Sequence, residues 1–144
     1  MKRYARGYTT GVYDLFHVGH LNVLCRAKER CDHLIVGVST DELVREYKHK
    51  TPVIPQEDRK RIVAALRCVD EVTDQTSMDK LEAWKRLHFD VVFVGDDWKG
   101  TEKWNRIEQQ FREVGVDVVY LPHTDGVSTT ELVDKIGHLP SAES

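Results

Sequence analysis

Buried-strand patterns constrain the fold of this chain more than any other feature. Residues 33–39 form a continuous apolar run rich in branched side chains, and residues 90–95 and 116–121 are similarly rich in them. Runs of this kind are typical of strands buried on both faces of a parallel sheet. Two further short candidates, residues 4–10 and 69–73, bring the predicted sheet to about five strands.

Helical patterns separate these strands. Apolar residues recur at helical spacing in residues 21–29, 56–67, 78–88 and 101–113, and a short capped helix is predicted from 41 to about 47. Strands that alternate with helices predict an α/β domain, a Rossmann-like, doubly wound parallel sheet with helices on both faces. We expect one domain over residues 1–137 and a short flexible C-terminal tail over residues 138–144.

Composition excludes several classes of protein. The net charge is −3, with no cluster of Lys and Arg between aromatic residues, so we expect no nucleic-acid partner. No apolar run approaches the roughly 20 residues of a membrane span, and residues 1–6 lack the apolar stretch of a signal peptide. The three cysteines lack metal-type spacing and predict reduced thiols in a cytoplasmic protein.

Residues 11–20 carry the strongest functional signal. A glycine turn leads from the first strand into a helix, and His17 and His20 can both face one ligand there. The first N–H groups of a helix have no partner within it and favour phosphate oxygens, so this segment predicts a nucleotide-phosphate site. Zinc ligation by the histidines is the other interpretation, but no Cys or Glu lies at ligand spacing nearby, so we predict no metal site.

Two other segments also follow the carboxyl ends of predicted strands: residues 95–100 and residues 122–130. In a doubly wound sheet the ligand lies beyond those ends, at the point where strand order reverses. We therefore expect these two segments and residues 11–20 to converge in one crevice.

The sequences of these segments resemble the motifs of a known family. Residues 17–20 resemble the HxGH signature of the nucleotidyltransferase superfamily, and residues 11–17 resemble the G-T-F-D-L-F-H of its cytidylyltransferase branch, with Val12 and Tyr13 departing from it. Residues 67–72 resemble R-Y-V-D-E-V, and residues 123–130 resemble R-T-E-G-I-S-T-T, with His123 in place of Arg. Residues 95–100 (GDDWKG) resemble the glycerol-phosphate cytidylyltransferases in particular.

The resemblance implies transfer of CMP from CTP to a small phosphorylated alcohol, with glycerol 3-phosphate as the expected acceptor and pyrophosphate as the second product. It implies direct in-line attack on the α-phosphate, Mg²⁺ accompanying CTP and a homodimer. The lack of an apolar run of membrane-spanning length predicts no membrane partner. It assigns catalysis to His17, His20 and Lys50, and acceptor binding to Lys48 and Lys80. The expected nucleotide-binding residues are Gly11, Val12, Tyr13, Asp14, Gly19, Arg67, Asp97, Trp98, His123, Thr124, Gly126, Ser128, Thr129 and Thr130.

Several alternatives stay open at this stage. Lys48 and Lys50 are also consistent with an ordinary solvated loop, and Arg67 with a charge that complements a helix dipole. Ser128 with Glu131 also fits simple helix capping. Other acceptors (ethanolamine phosphate, choline phosphate, another polyol phosphate) or ATP would suit the same superfamily. His123, which is only partly charged near neutral pH, favours a CTP sensor without turnover.

Overall fold

The computed structural model describes residues 3–122 and residue 136. Five strands form one sheet in which every pairing is parallel. The strands are β1 (Tyr4–Gly11), β2 (Cys31–Ser39), β3 (Glu71–Gln75), β4 (Val91–Gly95) and β5 (Asp117–Leu121). The helices are α1 (Val18–Glu29), α2 (Asp41–Lys48), α3 (Gln56–Ala64), α4 (Lys80–Leu87) and α5 (Glu102–Glu113), with a 3₁₀ turn at Asp96–Trp98.

The strand order is β3-β2-β1-β4-β5, so the chain reverses direction across the sheet between β1 and β4. That order is the topology of a doubly wound sheet, whose ligand crevice lies at the reversal. The predicted α/β class with a five-stranded parallel sheet is confirmed.

Apolar side chains alternate between two cores, one on each face of the sheet. In β2, Leu34 and Val36 face the core that contains Leu24 of α1 and Val63 of α3. Ile35 faces the opposite core, which contains Trp104 and Phe111 of α5. Helices therefore cover both faces, as the unbroken apolar pattern of β2 predicts.

Element boundaries differ from the sequence prediction at α3 and β3. The predicted helix over residues 56–67 ends at Ala64. Ala65 divides its N–H between the carbonyls of Arg61 and Ile62, and Leu66 donates to a carbonyl only three residues back, so the last turn tightens there. The predicted strand over residues 69–73 starts at Glu71, since Val69 is still bonded within that turn. The strand continues to Gln75 because this residue pairs with Ser39 of β2, and the Gln75 side chain also accepts a hydrogen bond from the Ser39 hydroxyl.

The predicted domain boundary at residue 137 and the predicted tail lie outside the described residues and stay predictions. Among the helices that the structure describes, none has the length and apolar character needed to cross a membrane.

Candidate active site

A cavity of about 580 Å³ opens beyond the carboxyl ends of the central strands. It is bounded by the end of β1, the start of α1, the segment that follows α2, and the starts of α4 and α5. Of the three segments expected to converge, residues 11–20 and 95–100 both contribute to its wall. The third lies outside the described residues beyond Pro122, so its convergence stays a prediction.

The start of α1 is held by its own two histidines. His17 is the N-cap, and its Nδ1 accepts the backbone N–H of Gly19 at 3.0 Å. Nδ1 of His20 accepts the backbone N–H of His17 at 3.2 Å. This is a capping box in which imidazoles take the places of the usual Ser or Thr and Glu or Gln. The two rings stack with centroids 3.9 Å apart.

This arrangement fixes which nitrogen carries the proton. A ring nitrogen that accepts a hydrogen bond is unprotonated, so the neutral form of each histidine carries its proton on Nε2. Burial lowers the pKa of His17. Burial, followed by the charge of His17, lowers the pKa of His20 to about 4, although Asp14 opposes the shift. Both imidazoles are therefore neutral Nε2–H donors at pH 7.

One of these donors is conspicuously unsatisfied. Nε2 of His17 is buried and has no hydrogen-bond partner in the described structure. Buried donors normally have partners, and leaving one unpaired costs about 1–3 kcal/mol. An oxygen atom of a bound ligand would remove that cost. His20 and Gly19 line the cavity, whereas His17 is stacked against His20 without being part of the lining.

The turn before α1 is strained and tightly packed. Tyr13 and Leu15 have φ of 57° and 49°, in the left-handed region of backbone conformation that residues other than glycine rarely adopt. A Cβ on Gly11 would lie 2.8 Å from the Tyr13 ring, so only glycine fits there. The Tyr13 ring is buried and meets the His20 ring edge-on, at 5.5 Å between centroids. Strain of this kind is concentrated at functional sites.

Asp14 ties this turn to the loop after α2. Its carboxylate accepts the backbone N–H groups of Leu15, Val53 and Ile54, at 3.1, 2.8 and 2.9 Å. Lys48 and Lys50 lie just before this anchored stretch, and both line the cavity. Asp14 therefore holds a basic segment against the histidine turn. The sequence analysis expected Asp14 to bind nucleotide and did not predict this contact within the protein.

Comparisons with known proteins show which family the chain belongs to. The family model of cytidylyltransferase-like proteins matches residues 8–135, nearly the whole chain. The chain belongs to this family. Glycerol-3-phosphate cytidylyltransferase of Bacillus subtilis (strain 168) is 39% identical over 132 residues, which cover 91% of this chain and 96% of the relative. The family, together with glycerol-3-phosphate cytidylyltransferase relatives that are 36% to 39% identical, makes the chain a nucleotidyltransferase. The resemblance drawn from the sequence is confirmed.

Other relatives carry a different name. FAD synthase of Thermococcus kodakarensis is 37% identical over 134 residues, covering 88% of this chain and 87% of the relative. Among solved structures, the lipopolysaccharide core biosynthesis protein from Thermoplasma volcanium GSS1 superposes with a TM-score of 0.70 at 25% identity, over 84% of this chain and 97% of that one. The substrate of a cytidylyltransferase-like chain therefore has to be argued from its own site.

The structure brings most of the predicted site residues to the cavity wall. Of the described residues that were predicted, the following line it: Gly11, Val12, Tyr13, Asp14, Gly19, His20, Lys48, Lys50, Lys80 and Trp98. Arg67 and Asp97 are exposed and are not among the lining residues. His123, Thr124, Gly126, Ser128, Thr129 and Thr130 lie outside the described residues. The roles of all these residues stay predictions.

The sequence interpretation missed Arg59, which is fully buried. Its guanidinium donates to the carbonyls of Val12, Ser39 and Ile54 at 2.7–2.8 Å, and to the carboxylate of Asp41 at 2.5 Å. It thus joins the histidine turn, the end of β2 and the anchored loop. A signal existed, because Arg59 lies four residues before Val63, on the buried face of α3.

Proposed function

We propose that this chain transfers CMP from CTP to a small phosphorylated alcohol, with glycerol 3-phosphate as the acceptor. One observation carries the proposal: two neutral imidazoles, fixed by their own backbone hydrogen bonds, stand as Nε2–H donors at the start of α1 beside a cavity lined by four lysines. That combination suits a chain of phosphates, because neutral donors and cations together match its dense negative charge.

In the proposed reaction an oxygen of the acceptor phosphate attacks the α-phosphorus of CTP. A new P–O bond forms to the acceptor while the bond between the α-phosphorus and the bridging oxygen breaks, and pyrophosphate leaves with that oxygen. The acceptor phosphate is already anionic at neutral pH, so no general base is needed. Catalysis then consists of positioning the groups and stabilising negative charge as it develops.

The histidines would stabilise that charge as hydrogen-bond donors rather than as cations. Because each Nδ1 is occupied by a backbone N–H, each ring can offer only Nε2–H to an oxygen of the triphosphate. Their fixed orientation costs no reorganisation during the reaction. Lys50, on the segment that Asp14 holds against the histidine turn, would add a full positive charge.

Mg²⁺ is expected to arrive with CTP, but the described residues do not form a site of their own for it. No group of three His, Cys, Asp or Glu side chains close enough to bind a metal occurs in residues 3–122. Asp14 is the one carboxylate among the described lining residues, and its oxygens already accept three backbone N–H groups. Within the described part of the chain, the triphosphate oxygens are therefore the expected ligands of the ion.

The FAD synthase relatives support a second candidate, in which a nucleotide other than CTP is used with a larger acceptor. A panel of CTP, ATP, GTP and UTP against glycerol 3-phosphate, phosphoethanolamine, phosphocholine and flavin mononucleotide separates the two. We expect pyrophosphate release with CTP and glycerol 3-phosphate. Pyrophosphate release with ATP and flavin mononucleotide alone would establish the second candidate, and CTP binding without pyrophosphate release from any pair would indicate a sensor.

The proposed homodimer can be checked on the same preparation by sedimentation.

A further inference from the structure

On the side of the cavity formed by α4 and α5, which pack on the face of the sheet opposite α1, two lysines and two tryptophans line the wall. We call this set the lysine pocket: Lys80, Trp98, Lys103 and Trp104, all of which line the cavity. Lys80 is the first residue of α4 and only 8% exposed, yet no hydrogen bond or ion pair links its ammonium group to any residue that the structure describes. A buried cation without an anionic partner is costly, which points to an anion supplied by a ligand.

Lys103 belongs to α5 and lies at the exposed rim of the same cavity. Its charge acts on Lys80, since burial and then Lys103 lower the pKa of Lys80 to about 8. Its ammonium lies 5.7 Å from the centroid of the Trp98 ring, within the range of a cation–π contact. No family signature of the sequence marked this residue.

The described lining of the cavity is short of negative charge. Its described lining contains Lys48, Lys50, Lys80 and Lys103 but only one carboxylate, that of Asp14, which is engaged with backbone N–H groups. Asp96 and Asp97 lie next to Trp98 in the sequence but are not lining residues. A second cation brought in by a substrate would therefore meet like charges and no available carboxylate in this lining.

We propose that Lys103 sets acceptor specificity: by placing its ammonium against Trp98 beside Lys80, it selects alcohols whose only charged group is a phosphate and excludes amino-alcohol phosphates. An exposed aromatic ring is the usual receptor for a quaternary or primary ammonium group. Here the ammonium group of Lys103 already lies over the Trp98 ring. The inference rests on the proposed function and narrows its acceptor to a polyol phosphate.

The test compares wild-type protein with Lys103→Gln and Lys103→Glu by pyrophosphate release at saturating CTP. The acceptors are glycerol 3-phosphate, phosphoethanolamine and phosphocholine. We expect wild type to prefer glycerol 3-phosphate by at least about tenfold in kcat/KM, and Lys103→Gln to raise the KM for it about fivefold, as for a partly exposed charge. The charge reversal in Lys103→Glu should shrink the preference by about tenfold or more, with the KM for CTP unchanged in both variants.

The matched control is Lys99→Gln. Lys99 is also exposed and also lies over an aromatic ring, that of Tyr120 at 5.9 Å, but it does not line the cavity. This variant should keep wild-type specificity. Equal use of glycerol 3-phosphate and phosphocholine by wild type, or an unchanged preference in Lys103→Glu, would overturn the proposal.

Calorimetric titration with glycerol 3-phosphate and phosphocholine, with and without CTP, separates this inference from the proposed function. If wild type releases no pyrophosphate but binds glycerol 3-phosphate more tightly than phosphocholine, and loses that difference in Lys103→Glu, the proposed function fails and the specificity inference stands. If wild type binds both equally, or neither, the inference fails whatever the turnover.

Discussion

Two ends of one cavity handle negative charge in different ways. At the histidine corner, which comprises residues 11–20, His17 and His20 are neutral, and each Nδ1 is bonded to backbone within the same turn. In the lysine pocket, Lys80 and Lys103 come from separate helices, and burial, followed by the charge of Lys103, lowers the pKa of Lys80. The two imidazoles offer oriented N–H dipoles, whereas the lysine pocket offers whole charges.

The difference separates two tasks. Oriented neutral donors stabilise charge that develops during a reaction, since they need no reorganisation and do not titrate near neutral pH. Unpaired ammonium groups attract a charged substrate in its ground state, at a cost to the stability of the empty protein. We therefore expect changes at the histidine corner to act on kcat and changes in the lysine pocket to act on the KM for the acceptor.

The largest expected effect comes from His20→Gln. Glutamine at this position of a capping box can still accept the backbone N–H of His17, so the helix start is kept while the Nε2–H donor is lost. We expect kcat to fall about 10²- to 10³-fold, with Tm within a few degrees of wild type. The measurements are pyrophosphate release and thermal unfolding, with His33→Gln as control because His33 pairs with Glu71 and does not line the cavity. Near-wild-type turnover in folded His20→Gln would remove this histidine from the mechanism.

Arg59→Met tests what holds the histidine corner in place. The substitution leaves the carboxylate of Asp41 without its buried partner and the carbonyls of Val12 and Ile54 without their donor. We expect a loss of about 3 kcal/mol in the free energy of unfolding, seen as a Tm lower by roughly 10 °C.

Because Arg59 holds the turn and the loop near the histidines, the KM for CTP should rise more than the KM for the acceptor, measured below the new Tm. Arg61→Met, an exposed arginine on the same helix, should change neither quantity. Equal rises in both KM values would show that Arg59 does not act through the histidine corner.

Lys80→Met tests the lysine pocket. Methionine keeps much of the buried methylene packing and removes a cation that burial disfavours. We expect the KM for glycerol 3-phosphate to rise about tenfold or more, because a charge-assisted contact is lost, while Tm rises rather than falls. Lys85→Met, exposed on the same helix, is the matched control. A lower Tm together with an unchanged acceptor KM would mean that Lys80 is structural.

The two ends also differ in how far the sequence predicts them. The histidine corner depends on residues three apart in one turn, so the spacing of His17 and His20 is enough to place both imidazoles at a helix start. The sheet was predictable for a related reason, since the apolar run of β2 reports burial on both faces. Both inferences use periodicity within a single segment.

Lys103 was beyond this kind of inference, and Arg59 gave it only one sign. Lys103 is a polar residue near the start of an amphipathic helix, and only the packing of α4 beside α5 brings it near Lys80. Arg59 has buried partners at the ends of three separate segments, and its position on the apolar face of α3 was the single local sign. Contacts between distant segments are set by tertiary packing, which local pattern does not encode.

A pH series gives the smallest effect and compares the two ends within one protein. The pKa of Lys80 is about 8, so the empty pocket loses this charge as pH rises through that value, and the KM for glycerol 3-phosphate should rise a few-fold between pH 7.5 and about 9.5. The pKa of His20 is about 4 and that of His17 is also lowered, so both stay neutral in this range, and the KM for CTP should stay nearly flat.

The pKa of Lys48 is also lowered, by burial and then by Lys50, so part of the rise in the acceptor KM can come from Lys48. Comparing the same series in Lys80→Met isolates the pocket: its acceptor KM should start higher and vary less with pH. A CTP KM that climbs in parallel with the acceptor KM would show that the lysines serve the triphosphate, and that the two ends of the cavity do not divide the work as their charges indicate.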